Sequence, residues 1–379
     1  MKYVEDTTLT ARKAEIEIKL KSVRKMLDEE GLSGVLLMRH NNFSWITAGG
    51  RNILTLYSEQ GVAPVLITKD KQYVLCSIIE EPRMREEEIV EELGFKLLYH
   101  PWYDNQILKM VEDLCDEQHK VGCDIHFAGL KMINDKIDPL HYSLLDNEIA
   151  RYLHLGEQLS AGLEEFIVTV RPGMTEFEIT GGLANALWRR GIDQVLFMVS
   201  ADERAYKHRH GIPMDNVVLK NHLNISVNGR YKGLITTVTR MVHFGPKDDK
   251  LIKQYEDTCE IECRSIAAVK PGVDDIEGYR ACKKAYEDLG YGNMWPLHGQ
   301  GGAQSYNNRD YIITETNHRV TVKNQGYCFN PVIDGTKTED GFIATEDGPL
   351  FITKPISFPV VEREVDGIHF SRPGLVFIT

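Results

Sequence analysis

The chain has 379 residues, 42% hydrophobic and 26% charged, and contains no apolar run near the roughly 18 residues of a membrane-spanning helix. A membrane span is therefore excluded, and the length fits two domains of ordinary size. A net charge of -12 lacks the basic surface that non-specific nucleic-acid binding needs, which leaves small molecules or peptides as the expected partners.

The opening segment MKYVEDTTLTARKAEIEIKLK is charged throughout and has no apolar signal-peptide core, so a cytoplasmic location is expected. Seven cysteines, an odd number with no Cys-x-x-Cys pair, read as reduced thiols. In residues 10–30 the apolar positions Ile16, Leu20, Val23 and Leu27 recur at helical spacing, and the pattern stops at Gly31. A strand GVLLM follows, then NNFSWITAGG, the strand-turn-strand APVLITKDKQYVLCS, and a charged helix near REEEIVEELG. Further short helix and strand signals run to Leu145, giving an α/β domain over 1–145 with a mixed sheet and helices on its faces.

From Asp146 the helices lengthen, beginning with NEIARYLHLGEQLSAGLEEFIVTV. The stretch VRPGMTEFE (170–178) recurs as VKPGVDDIE (269–277), each copy preceded and followed by a helical pattern. Pro-Gly ends one helix, and the acidic residue after it caps the next. Two copies about a hundred residues apart point to one pseudo-symmetric domain over 146–379, because a solenoid needs more and shorter repeats. Histidines follow the second helix of each copy: His208 and His210 in KHRHGIP, and His298 in WPLHGQGG. Cys259 and Cys263, four apart on one helix face, read as packed thiols. Between the copies, ISVNGRYKGLITTVTRMVHFG alternates like a hairpin that holds metal, yet it carries Ser226, Asn228, Thr236 and Thr237 and no carboxylate.

Taken in order, NEIARYLHLGEQLSAGLEEFIVTVRPGMTEFEI, the HGIP at His210, Thr239-Arg240, the HGQGG at His298 and TEDGFIATEDGPLFIT from Thr338 carry a family likeness. The chain resembles, over nearly its whole length, the superfamily of methionine aminopeptidase, prolidase, aminopeptidase P and creatinase. The likeness implies an α/β (α+β) fold, with an N-terminal creatinase-type mixed-sheet domain followed by a pseudo-two-fold pita-bread catalytic domain. Metallopeptidases of this superfamily bind two divalent ions through two Asp, one His and two Glu. Carried over by position, these ligands fall on Ser226, Thr237, His298, Asn330 in CFNPVI, and Glu339. Three of the four carboxylates are missing, and the hairpin between Asn330 and Glu339 is shortened. One carboxylate and a neutral imidazole cannot offset two divalent ions in a partly desolvated cleft, so no metal and no other cofactor is expected.

Creatinase cleaves a carbon-nitrogen bond without metal, using a histidine from the segment matched here by KHRHGIPMD. The resemblance implies His210 as the proton-transfer group, with His208 second and His298 also catalytic. It implies that Glu339 orients a cationic, guanidinium-like substrate or stabilises an imidazolium. Tyr206 and Asn330 join His208 as substrate-binding residues. For Arg240 two readings stand: a bidentate partner for a substrate carboxylate, or a buried ion pair with Glu339 or Asp340. The segment NNFSWITAGGRN resembles the loop that approaches the partner's cleft in creatinase-like dimers, which suggests a homodimer with Arg51 contacting substrate. The expected function is metal-independent hydrolysis of a carbon-nitrogen bond in a small guanidino, betaine-like or N-acyl compound. A catalytically silent binding protein is the alternative, and an Xaa-Pro peptidase conflicts with the lost carboxylates.

Overall fold

In the computed structural model, which describes residues 3–115 and 117–379, the chain divides after Asn147 into two units. The first opens with the helix Leu9–Glu29, whose N-cap Thr8 accepts a hydrogen bond from the Ala11 backbone and whose inner face buries Ile16, Leu20, Val23 and Leu27. Six strands form its sheet: β1 (Gly34–Arg39), β2 (Gln60–Thr68), β3 (Gln72–Ser77), β4 (Lys96–His100), β5 (Val121–Cys123) and β6 (Lys131–Met132), in the order β4-β3-β2-β1-β5-β6. Pairing is antiparallel among β1, β2 and β3 and parallel elsewhere, so the sheet is mixed. The helix expected around 85–94 instead spans Glu81–Glu86 and ends before Ile89, which adopts a φ of 50°. Glu88 leaves the helical run to accept the backbone N–H of Arg51 at 2.8 Å.

In the second unit the two Pro-Gly copies sit in matching frames. Helix Asp146–Ile167 precedes the first copy and helix Glu176–Trp188 follows it; Asp249–Ala267 and Ile276–Asp288 flank the second. Gly173 and Gly272 both have positive φ, 97° and 81°, as the turn out of each first helix requires. Their N–H groups donate to Leu219 and Thr321 respectively, each at 2.9 Å, and the next residues, Met174 and Val273, accept from those same two positions. Isolated bridges Thr175–Val218 and Asp274–Val320 complete the correspondence. The capping box of Thr175 and Glu178 is fully formed in the first copy.

The strands of this unit are β7 (Asp193–Ala201), β8 (His222–Tyr231), β9 (Leu234–Phe244), β10 (Gly301–Ala303), β11 (Tyr311–Ile312), β12 (Gln325–Phe329), β13 (Val332–Ile333), β14 (Thr336–Lys337), β15 (Asp340–Thr345), β16 (Gly348–Phe351), β17 (Val360–Val365), β18 (Ile368–Pro373) and β19 (Val376–Ile378). The main sheet runs β11-β10-β12-β15-β9-β8-β7, with β16 beside β15 and β19 beside β9. Ile225, Val227, Val238 and Met241 bury the middle of this sheet. All seven cysteines are buried, as packing residues are. Among the described residues no helix is long and apolar enough to cross a membrane.

Candidate functional site

The β8–β9 hairpin turns at Lys232-Gly233, both with positive φ, and its register sets Ser226 opposite Thr239 and Asn228 opposite Thr237. Side chains two apart on a strand share a face, so these four polar residues line one side of the sheet. Strand β15 joins β9 at Asp340–Val238, and the Thr239 N–H donates to the Glu339 carbonyl at 2.9 Å. That register brings the Glu339 carboxylate to the same face. Its Oε2 accepts from the Thr239 hydroxyl at 3.1 Å, and Thr239 lies 2.7 Å from the Ser226 hydroxyl.

The hairpin between Asn330 and Glu339 is closed by the short β13–β14 pair, which pairs Val332 with Lys337. Lys337 stands two residues before Glu339 in extended chain, and its Nζ lies 2.9 Å from Glu339 Oε2 and donates to Ser226 Oγ at 3.2 Å. On the other side Arg309 Nη2 donates to Glu339 Oε1 at 3.2 Å. Burial alone would raise the Glu339 pKa; Lys337 and Arg309 outweigh it and hold the carboxyl below its ordinary value. The His298 pKa is lowered as well: burial first, then the Lys337 charge, bring it to about 3 and keep the imidazole neutral. Its Nδ1 is buried without a hydrogen-bond partner. The ring of His210 lies edge-on to it, with centroids 5.3 Å apart and planes at 67°.

The remaining wall is built of amides. Thr237 Oγ1 accepts from Gln304 Nε2 at 3.0 Å, and Asn228 donates to the Asn308 side chain. The side-chain oxygens of Asn228, Gln304 and Asn330 are buried without partners.

Several sequence-derived assignments change. Arg240 does not reach the cleft: it neighbours Thr239 in the strand, so its side chain points to the opposite face, where it is fully buried. There its Nε donates to Glu164 Oε1 at 2.6 Å and its Nη1 to Asp340 Oδ1 at 3.2 Å. Arg372 extends the cluster to Asp340 and Glu262. The ion-pair reading of Arg240 therefore holds with Asp340 and not with Glu339. Glu339 is not placed to orient a cationic substrate, because both its oxygens already face cationic side chains of the chain itself.

His208 is exposed at the end of the short helix Glu203–Lys207, its N–H donating to the Arg204 carbonyl. Tyr206 packs its ring 5.5 Å from that of His222. Arg51 belongs to the first unit, where it is exposed and its carbonyl accepts from Arg83 at 2.7 Å. Asn330 is half-buried, its N–H donating to the Gln300 carbonyl at 3.2 Å.

Sequence reading missed Lys337, Arg309, Gln304 and Asn308. Only Lys337 had a readable signal, its spacing of two from Glu339 on an extended segment.

A dinuclear metal centre does not fit these residues. Ser226, Thr237 and Asn330 offer neutral oxygens, and the carboxylate of Glu339 lies between an ammonium and a guanidinium. Among the described residues no group of three or more His, Cys, Asp or Glu is arranged to hold a metal ion.

Residues 151–346 match the model of metallopeptidase family M24, and residues 19–138 that of the creatinase/prolidase N-terminal domain. The uncharacterized peptidase YqhT of Bacillus subtilis (strain 168) is 22% identical over 362 residues, covering 89% of this chain and 98% of that one. Among solved structures, an Xaa-Pro dipeptidase from Bacillus anthracis superposes with a TM-score of 0.75 at 19% identity, covering 96% of this chain and 100% of the other. The N-terminal domain of FACT complex subunit SPT16 from Cicer arietinum (chickpea) superposes with a TM-score of 0.71 at 13% identity, covering 91% and 97%. At these identities the structural likeness establishes the pita-bread fold.

Proposed function

The chain belongs to metallopeptidase family M24, and from its cleft we propose a hydrolase of small polar carbon-nitrogen substrates that works without divalent ions. The substrates are of the guanidino, betaine-like or N-acyl kind, and His210 is the general base and acid. The observation that carries this reading is the His210–His298 pair set beside Glu339 and Lys337. With metal-activated water absent from the scheme, a side chain must move the proton, and imidazole is the group that exchanges protons near neutrality. Neutral His298, with its Nδ1 unpaired, is suited to take a hydrogen bond from the substrate or from its neighbouring imidazole. The proposed working form is a cytoplasmic homodimer in which Arg51 of one protomer serves the other's cleft. Light scattering on the purified chain tests that assembly.

A second reading keeps the cleft as a binding site without turnover. It is favoured by the side-chain pairs already formed along the polar wall, Ser226 with Thr239, Thr237 with Gln304 and Asn228 with Asn308. The fold also occurs in a domain described as part of a FACT complex subunit. A panel of guanidino, betaine and N-acyl compounds, screened by thermal shift and then followed by NMR for product, separates the two. Release of amine, urea or acid supports the hydrolase; binding with no product supports the silent site.

A further inference from the structure

His210 is exposed, so packing alone does not fix its ring against that of His298. Proton transfer needs an imidazole within hydrogen-bond reach of its target, so the backbone that carries an exposed ring has to be held. One carboxylate spans the segment in question, residues 201–214. Glu176, the first residue of the helix Glu176–Trp188, is fully buried and reaches both ends of it. Its Oε1 accepts the Ala201 N–H and its Oε2 the Met214 N–H, each at 2.9 Å. Oε1 also accepts from Arg204 Nε at 3.1 Å, and Arg204 Nη2 donates to the Ile212 carbonyl at 2.6 Å, two residues beyond His210.

The backbone between these contacts is constrained as well. Asp202 enters the segment at φ 51° and ψ -123°, a strained conformation for a residue other than glycine, and its carboxylate accepts the N–H groups of Lys220, Asn221 and His222. Gly211, next to His210, gives its carbonyl to the Val199 N–H at 2.9 Å, and a Cβ on it would stand 1.6 Å from Ser200 Oγ. Removing the Glu176 carboxylate would leave the buried Ala201 N–H and the Arg204 guanidinium without that acceptor.

We infer that Glu176 is a positioning residue for His210: with Arg204 it clamps the 201–214 segment so that the imidazole stands against His298. This rests on the proposed function in taking His210 as the acid-base group, and it adds what places that group. Arg209, on the other side of His210, offers a rival anchor through its Nη2, 2.6 Å from Asp334 Oδ1. Asp334 is 45% exposed there, so solvent screens that pair, whereas the Glu176 carboxylate is held away from water.

The test reads the geometry of the histidine pair rather than turnover, so its failure and that of the hydrolase reading are distinguishable. The full chain, deuterated except at its histidines, is followed by NMR, with the two ring signals assigned through His210→Ala and His298→Ala. The wild type is expected to show a nuclear Overhauser contact between the rings. Glu176→Ala and Arg204→Met are each expected to lose it and to move the His210 signal while the signals of His222 and His243 stay in place, and Asp334→Ala is expected to keep it. A contact retained in Glu176→Ala or in Arg204→Met, lost in Asp334→Ala, or missing from the wild type overturns the inference. If circular dichroism finds Glu176→Ala unfolded, Arg204→Met and Asp334→Ala decide: loss in the first with retention in the second supports it, and any other result overturns it.

Discussion

The imidazoles of His210, after the first Pro-Gly copy, and His298, after the second, meet with ring centroids 5.3 Å apart. Replacing His210 by Ala is expected to lower turnover by a factor of roughly a hundred to ten thousand, the contribution of one positioned acid-base group. His208→Ala, outside the His210–His298 ring pair, is expected to change little. If His298→Ala loses that factor and His210→Ala does not, the role crosses to the other half. Activity retained in all three variants would remove the acid-base assignment altogether.

The second expectation concerns metal. Protein dialysed against manganese or cobalt and then freed of unbound ion is expected to hold far less than two ions per chain, because Ser226, Thr237 and Asn330 supply no carboxylate and Glu339 is taken by Lys337 and Arg309. Elemental analysis measures it. Two ions per chain together with chelator-sensitive peptidase activity would restore the metallopeptidase reading.

Arg240 is expected to act on stability. It is fully buried between Glu164 and Asp340, and Arg240→Met leaves those carboxylates short of a counter-charge, at a cost of about 3–5 kcal/mol. Denaturant unfolding reads the loss. A variant with an unchanged midpoint that no longer binds ligand would return Arg240 to substrate recognition.

The fourth expectation is a pH effect with a defined sign. Folding favours neutral His298, so its contribution to stability is full above the ordinary value of 6.5 and is lost as pH falls from there toward about 3. Burial is the first cause of that depression and the Lys337 charge the second. In Lys337→Met the His298 pKa should move upward while remaining below 6.5, and less stability should be lost on acidification. NMR titration of the His298 ring follows it. An unchanged titration would remove Lys337 as a cause.

The fold was readable because its signals are local. The Pro-Gly repeat marks two helix ends, which the paired contacts of Gly173 and Gly272 show to be equivalent turns. Alternation along 225–245 marked the hairpin, and the family likeness set Ser226 and Thr237 at ligand positions on its two strands. Alternation would also have turned Arg240 away from the cleft, since it stands three residues after Thr237 and so on the opposite face of the strand. What stayed illegible depends on contacts distant in sequence. Arg309 meets Glu339 across 30 residues, and Glu164 meets Arg240 across 76. Nothing in either local sequence names its partner.

A side-chain cation has no dissociation constant. The positive charge that Lys337 sets against Glu339 arrives when the short hairpin forms, at one per chain whatever the surrounding solution contains. A chelator cannot strip it, scarcity of trace elements cannot leave it vacant, and no wrong ion can take its place. Only a change in the coding sequence can alter it.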